Sequence, residues 1–118
     1  MNQQDIATEE DVRLLVDRFY DAVLRDDILS PFFRSIDFHH HKPKMVDFWS
    51  FVLLDKPGYT TNIFDKHAAM ALTTEALARW TTLFEATVRQ LFAGEKADTA
   101  ILRAKTIAWT FKEKMHLE

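Results

Sequence analysis

The stretch Asn62-Ile63-Phe64-Asp65-Lys66-His67-Ala68-Ala69-Met70 decides how the chain is read. It separates two long apolar-periodic segments, has poor helical periodicity of its own, and offers one imidazole, that of His67, among apolar neighbours. A protein presents a single axial ligand to a large apolar cofactor in this way. A lone histidine in a connector is ordinarily a solvated loop residue, because spacing by itself carries little weight. The flanking segments have to decide between the two readings.

Downstream, Thr73 or Thr74 with Glu75 in the first turn starts a helix. Its apolar stripe is Leu77, Trp80, Phe84, Thr87, Val88 and Leu91, and Gly94 is placed as its left-handed cap. As a core tryptophan, Trp80 would need a partner for its indole N–H. A last helix from about Lys96 to Met115 carries Ala97, Ala100, Ile101, Ala104, Ile107, Ala108, Phe111 and Met115 at helical offsets. Its alanines permit close helix approach.

Upstream, Asp55-Lys56-Pro57-Gly58 is a turn signal. Before it, His41, Met45, Phe48, Trp49 and Val52 fall along one helical stripe, with Lys42-Pro43-Lys44 as the first turn, where proline is tolerated. That pattern sets an imidazole at the mouth of an aromatic face, with Lys44 on a flank. The run Phe38-His39-His40-His41 is a poor metal site by itself, since neighbouring side chains diverge. A first helix runs from about Thr8 to Arg25, with Thr8 as cap, Glu9, Glu10 and Asp11 in the first turn, and an apolar face of Val12, Leu15, Val16, Phe19, Tyr20, Val23 and Leu24. Tyr20 stands at the edge of that face, where a tyrosine is ordinarily a core residue whose hydroxyl reaches a carbonyl. Asp26-Asp27-Ile28-Leu29-Ser30-Pro31 stops the helix, and Phe32-Phe33 follows in a short turn or helical stub. At least one of these two rings turns inward.

Composition sets the bounds. A chain of 118 residues is read as one domain, 1–118, with Leu117-Glu118 set aside as a possible cloning remnant. Ten Phe, three Trp and four Met against two Gly and three Pro leave little room for hairpins and predict an all-α fold with short joints. So many rings in so small a chain imply a core that fills a large volume, around something that is not protein. The absence of cysteine excludes disulfides and thiolate metal sites and fits a reducing cytoplasm. A net charge of -3 without a basic run argues against nucleic acid as a partner. No apolar run approaches the ~20 residues of a membrane span.

Helices in this order, with a histidine-bearing connector before the third long one, outline a shortened globin. The segments Arg18-Phe19-Tyr20, His40-His41-Lys42-Pro43-Lys44-Met45 with Phe48-Trp49 and Leu53-Leu54, then Lys66-His67, and Arg79-Trp80 with Leu83-Phe84-Glu85 carry the likeness. The chain resembles the truncated haemoglobins of the third subgroup, over nearly all of residues 9 to 115. The glycine pairs of the other truncated subgroups are missing. The resemblance implies a 2-on-2 helical sandwich around one haem b. It implies His67 as the proximal iron ligand, Tyr20, His41 and Trp80 as the distal and catalytic group, and Phe19, Phe32, Phe33, Met45 and Trp49 as haem-cavity residues. Lys44 is a partner for a haem propionate, and which of Phe32 and Phe33 meets the haem stays open.

Dioxygen at five-coordinate iron gains negative charge and rewards donors, which Tyr20 and Trp80 offer. Tight dioxygen binding suits chemistry with nitric oxide or peroxide better than transport. Carbon monoxide is a further small ligand, and an external reductase is required because no flavin or nicotinamide motif is present. Two other readings stand beside this one: a gas or redox sensor, and a haem-free helical interaction module. Exposed helix faces look polar enough for a monomer, with a weak dimer left open.

Overall fold

Helix α1, Glu9–Arg25, starts where the sequence places it. Thr8 Oγ1 accepts from the Asp11 amide at 3.2 Å while the Asp11 carboxylate accepts from the Thr8 amide at 3.1 Å, a reciprocal capping box. Val12, Leu15, Val16, Phe19, Tyr20 and Val23 form its buried face. Leu24 is a correction: it is 42% exposed, because it turns about 100° from the fully buried Val23. The computed structural model describes residues 3–34, 36–57 and 72–114, so the His67 connector lies outside the described residues.

A four-residue stub, α2 (Ser30–Phe33), follows with Pro31 in its first turn. Helix α3 spans Phe38–Leu54 and begins one turn earlier than expected, because the Asp37 carboxylate accepts from the His39 amide at 3.1 Å. Pro43 therefore lies inside the helix rather than in its first turn, where its ring nitrogen has no hydrogen to donate. Helix α4, Thr74–Leu91, is capped by Thr73 Oγ1, which accepts from the Ala76 amide at 3.0 Å. Helix α5, Glu95–Lys114, completes the chain of described elements. Helix α1 packs on α3 and α4, and α5 packs on α4 and α3, so two helix pairs enclose one apolar core. The architecture is all-α, with the truncated-globin arrangement of two helices on two.

The N-terminal residues do work that the periodicity does not show. Asp5 takes the Lys96 and Ala97 amides on its two carboxylate oxygens, at 2.9 Å each, and so caps α5 from a distant part of the chain. Ile6 beside it is 1% exposed. The Gln4 carbonyl accepts from the Ala93 amide at 3.0 Å, and Lys96 Nζ donates to the Leu53 carbonyl at the end of α3.

Gly94 is needed for a different reason from the one expected. Helix α4 ends at Leu91 with an extended cap at Phe92, and Gly94 sits ahead of α5 at φ 143°, where a Cβ would lie 2.5 Å from Asp5 Cγ. Both the backbone conformation and the Asp5 carboxylate demand a residue without a side chain.

Burial acts to raise the Asp5 carboxyl, but the Lys96, Ala97 and Ile6 amides and the Lys96 charge together hold it below its ordinary value. Stability from this cap is thus fully present above the unfolded value of about 3.9 and lost as pH falls through the lower folded value. Asp5→Ala is expected to cost about 1 kcal/mol. Urea midpoints across pH 2–7 check both points: the gap between wild type and variant should be widest near neutrality and close in acid.

Candidate functional site

Phe19 and Tyr20 are neighbours on α1 and so face different partners. The Phe19 ring lies edge-on to Trp80 and Phe84 of α4, with centroids at 5.8 and 5.1 Å. The Tyr20 ring, 5.1 Å from that of Phe19, reaches Phe33 of α2 at 6.0 Å and Phe38 and His41 of α3 at 5.3 and 5.1 Å. Across from them, Trp49 of α3 stacks on Phe84 at 4.8 Å, and Trp80 stacks on the same phenyl ring at 5.8 Å. Such stacked and edge-on pairs each contribute about 0.5–1.5 kcal/mol beyond area burial, so this cluster is a stiff wall.

The wall bounds a slot lined by Val16, Phe19, Tyr20, Phe33, Met45, Trp49, Leu72, Leu77, Trp80, Phe84, Ile107, Ala108 and Phe111. Among the described residues its lining is ring and aliphatic carbon apart from Tyr20, Trp80 and the Met45 thioether. The slot is narrow: the centre of a water molecule can occupy about 20 Å³ of it, room for roughly one water. A broad apolar guest with a polar point near Tyr20 or Trp80 matches this chemistry.

Tyr20 Oη lies 2.9 Å from His41 Nε2. Burial pushes the Tyr20 phenol well above its usual value, so the group is a neutral hydroxyl and never a phenolate under ordinary conditions. The imidazole tautomer then sets what the hydroxyl does. With a hydrogen on Nε2, His41 donates to Tyr20 Oη and leaves the tyrosine hydrogen for a guest in the slot. With Nε2 bare, Tyr20 donates to it instead.

The residues singled out in the sequence divide as follows. Phe19, Tyr20, Phe33, Met45, Trp49 and Trp80 line one slot, and His41 joins them through Tyr20. Of the two consecutive aromatics, Phe33 is buried and lines the slot, whereas Phe32 packs, half-buried, against the core outside it. Lys44 is exposed on α3. His39 and His40 are exposed, and His40 faces Asp37 at 3.7 Å. No hydrogen bond to the Trp80 indole is formed among the described residues. Val16, Leu77, Phe84, Ile107, Ala108 and Phe111, which belong to the helical core stripes of the sequence, also line the slot. Leu72 lies just ahead of α4 and gave no periodic signal.

One ion pair stiffens the site from outside it. Asp26, at the end of α1, is 8% exposed and accepts from Arg79 Nε at 2.6 Å and from the Ile28 and Leu29 amides at 3.1 and 3.0 Å. Burial acts to raise its carboxyl, but the Arg79 guanidinium and the two amides outweigh it and hold the group below its usual range. The pair fastens the end of the helix bearing Tyr20 to the residue next to Trp80. Arg79 is 42% exposed, which discounts the pair. Asp26→Ala is expected to cost about 2 kcal/mol and to lower Tm by roughly 5–10 °C, measured by thermal melting.

The chain belongs to the bacterial-like globins, whose family model matches residues 4–113. It is similar to the group 3 truncated haemoglobin of Campylobacter jejuni, with 26% identity over 115 residues, covering 92% of this chain and 91% of that one. The crystal structure of the group III truncated haemoglobin from Campylobacter jejuni superposes with a TM-score of 0.84, covering 95% of this chain and 94% of that one. Membership of the globins implies a haem with small gaseous ligands, and the slot's apolar lining suits such a disc. Among the described residues, no helix is long and apolar enough to cross a membrane.

Proposed function

We propose that this globin holds haem b, binds dioxygen tightly, and uses it to consume nitric oxide or to act on peroxide rather than to transport gas. When bound, the haem iron supplies an open coordination position for a small ligand. The observation that carries the reading is the Tyr20–His41 pair at 2.9 Å on the wall of an otherwise apolar slot. A buried hydroxyl kept neutral, backed by an imidazole, is a donor to a guest that gathers negative charge. Trp80 adds an indole N–H to the same wall.

In this reading His67 is the iron ligand, Phe19, Phe33, Met45, Trp49 and Trp80 hold the disc, and Lys44 meets a carboxylate at its rim. Tyr20 Oη can give its hydrogen to a bound peroxide while taking one from a protonated His41 Nε2, which serves the protonation that peroxide cleavage requires. Conversion of nitric oxide and dioxygen to nitrate takes one electron, which an external reductase provides.

The test is the visible spectrum of the protein expressed with haem precursor, as isolated, reduced, and with carbon monoxide. A strong Soret band that sharpens and shifts with carbon monoxide is expected. No Soret band, even after haem titration, sinks the reading.

A further inference from the structure

Helix α5 has a second apolar feature on the face opposite its core side. Leu102 is 66% exposed and Trp109 is 62% exposed, the two most exposed large apolar residues of the described chain. They are seven residues apart, so they lie on one stripe about 10.5 Å apart along the axis. The inward residues Ala97, Ala100, Ile101, Ala104 and Phe111 are buried on the other side. A tryptophan left so open has a large apolar area that a partner would remove from water.

The charges beside this stripe say what the partner is. Asp98, Lys105 and Lys112 repeat at the same seven-residue interval and run along one flank of Leu102 and Trp109. More broadly the helix is acidic at its start, with Glu95 and Asp98, and basic at its end, with Lys112 and Lys114. Turned end for end, a second copy sets Leu102 against Trp109 of the other copy and Asp98, which also pairs with Arg89 at 2.8 Å in its own chain, beside its Lys112, twice over by symmetry. Lys105 falls at the two-fold axis, and its charge is already shared with Glu85 at 3.4 Å. A parallel arrangement would instead oppose Asp98 to Asp98 and Lys112 to Lys112.

We propose that the outer face of α5 is an antiparallel self-association surface, through which two copies of this chain form a dimer centred on Leu102, Lys105 and Trp109. One helix face per partner buries a modest area, as transient interfaces do. The proposal stands on exposure and charge spacing and does not depend on what the slot binds.

Analytical ultracentrifugation of the full chain from 1 to about 300 µM tests it. A monomer–dimer equilibrium is expected, with Trp109→Glu and Leu102→Glu each shifting it at least tenfold toward monomer at unchanged far-ultraviolet circular dichroism. The register is tested by charge reversal. Asp98→Lys and Lys112→Asp should each weaken the dimer, and the two together in one chain should restore it. A wild type that stays monomeric throughout, a dimer indifferent to Trp109→Glu, or a double reversal that fails to restore association each overturns the proposal.

Discussion

A His67→Gly variant is expected to fold wholly or in part and to retain little haem. The described slot offers no imidazole of its own: His41 stands behind Tyr20, bonded to it, and the lining is carbon apart from Tyr20, Trp80 and the Met45 thioether. In the proposed reading the iron ligand is His67, the histidine in the connector between α3 and α4. Outer-shell partners of metal ligands alone are worth about 10–100-fold in affinity, so loss of the ligand itself should cost at least the upper figure. Haem-to-protein ratio and the ferrous spectrum read the outcome, with added imidazole expected to restore part of the ligation. Unchanged haem content and ligation would remove His67 from the role.

Tyr20→Phe is expected to speed dioxygen dissociation by roughly ten- to a hundredfold and to raise the autoxidation rate. A hydrogen bond to a charged acceptor contributes about 1.5–3 kcal/mol, and each 1.4 kcal/mol is about tenfold. The substitution leaves the ring, its contacts with Phe33 and Phe38, and the slot wall in place, and deletes only the donor. Haem content should accordingly match wild type, which separates this variant from His67→Gly. Stopped-flow mixing of the oxygenated protein with carbon monoxide measures the rate. If neither rate moves, the donor is Trp80 or water.

The sequence made the helices legible because each announces itself locally. Thr8 with Asp11 and Thr73 with the Ala76 amide are caps readable three residues apart, and the apolar stripes of α1, α4 and α5 follow the helical period. The slot was legible in outline because its rings are rare residue types on those stripes. What the sequence did not disclose depends on contacts between distant segments. Asp5 looks like an isolated acid until α5 brings two amides to it, and Gly94 looks like a helix cap until Asp5 occupies the space where a side chain would be. Phe32 and Phe33 are indistinguishable until α1 and α4 define an inside. Leu102 and Trp109 are hidden among polar neighbours, because seven-residue spacing on an outer face shows only when the inner face is known.

The proline within α3 divides that helix into two mechanical parts. Pro43 donates no hydrogen to the His39 carbonyl one turn back, so the turn that carries His41 is joined to the rest of the helix by a weakened ladder. Met45, Phe48 and Trp49 lie beyond the break and are locked into the core. The turn that carries His41 therefore rests less on its own backbone ladder and more on its side-chain contact with Tyr20 than do the turns bearing Met45, Phe48 and Trp49.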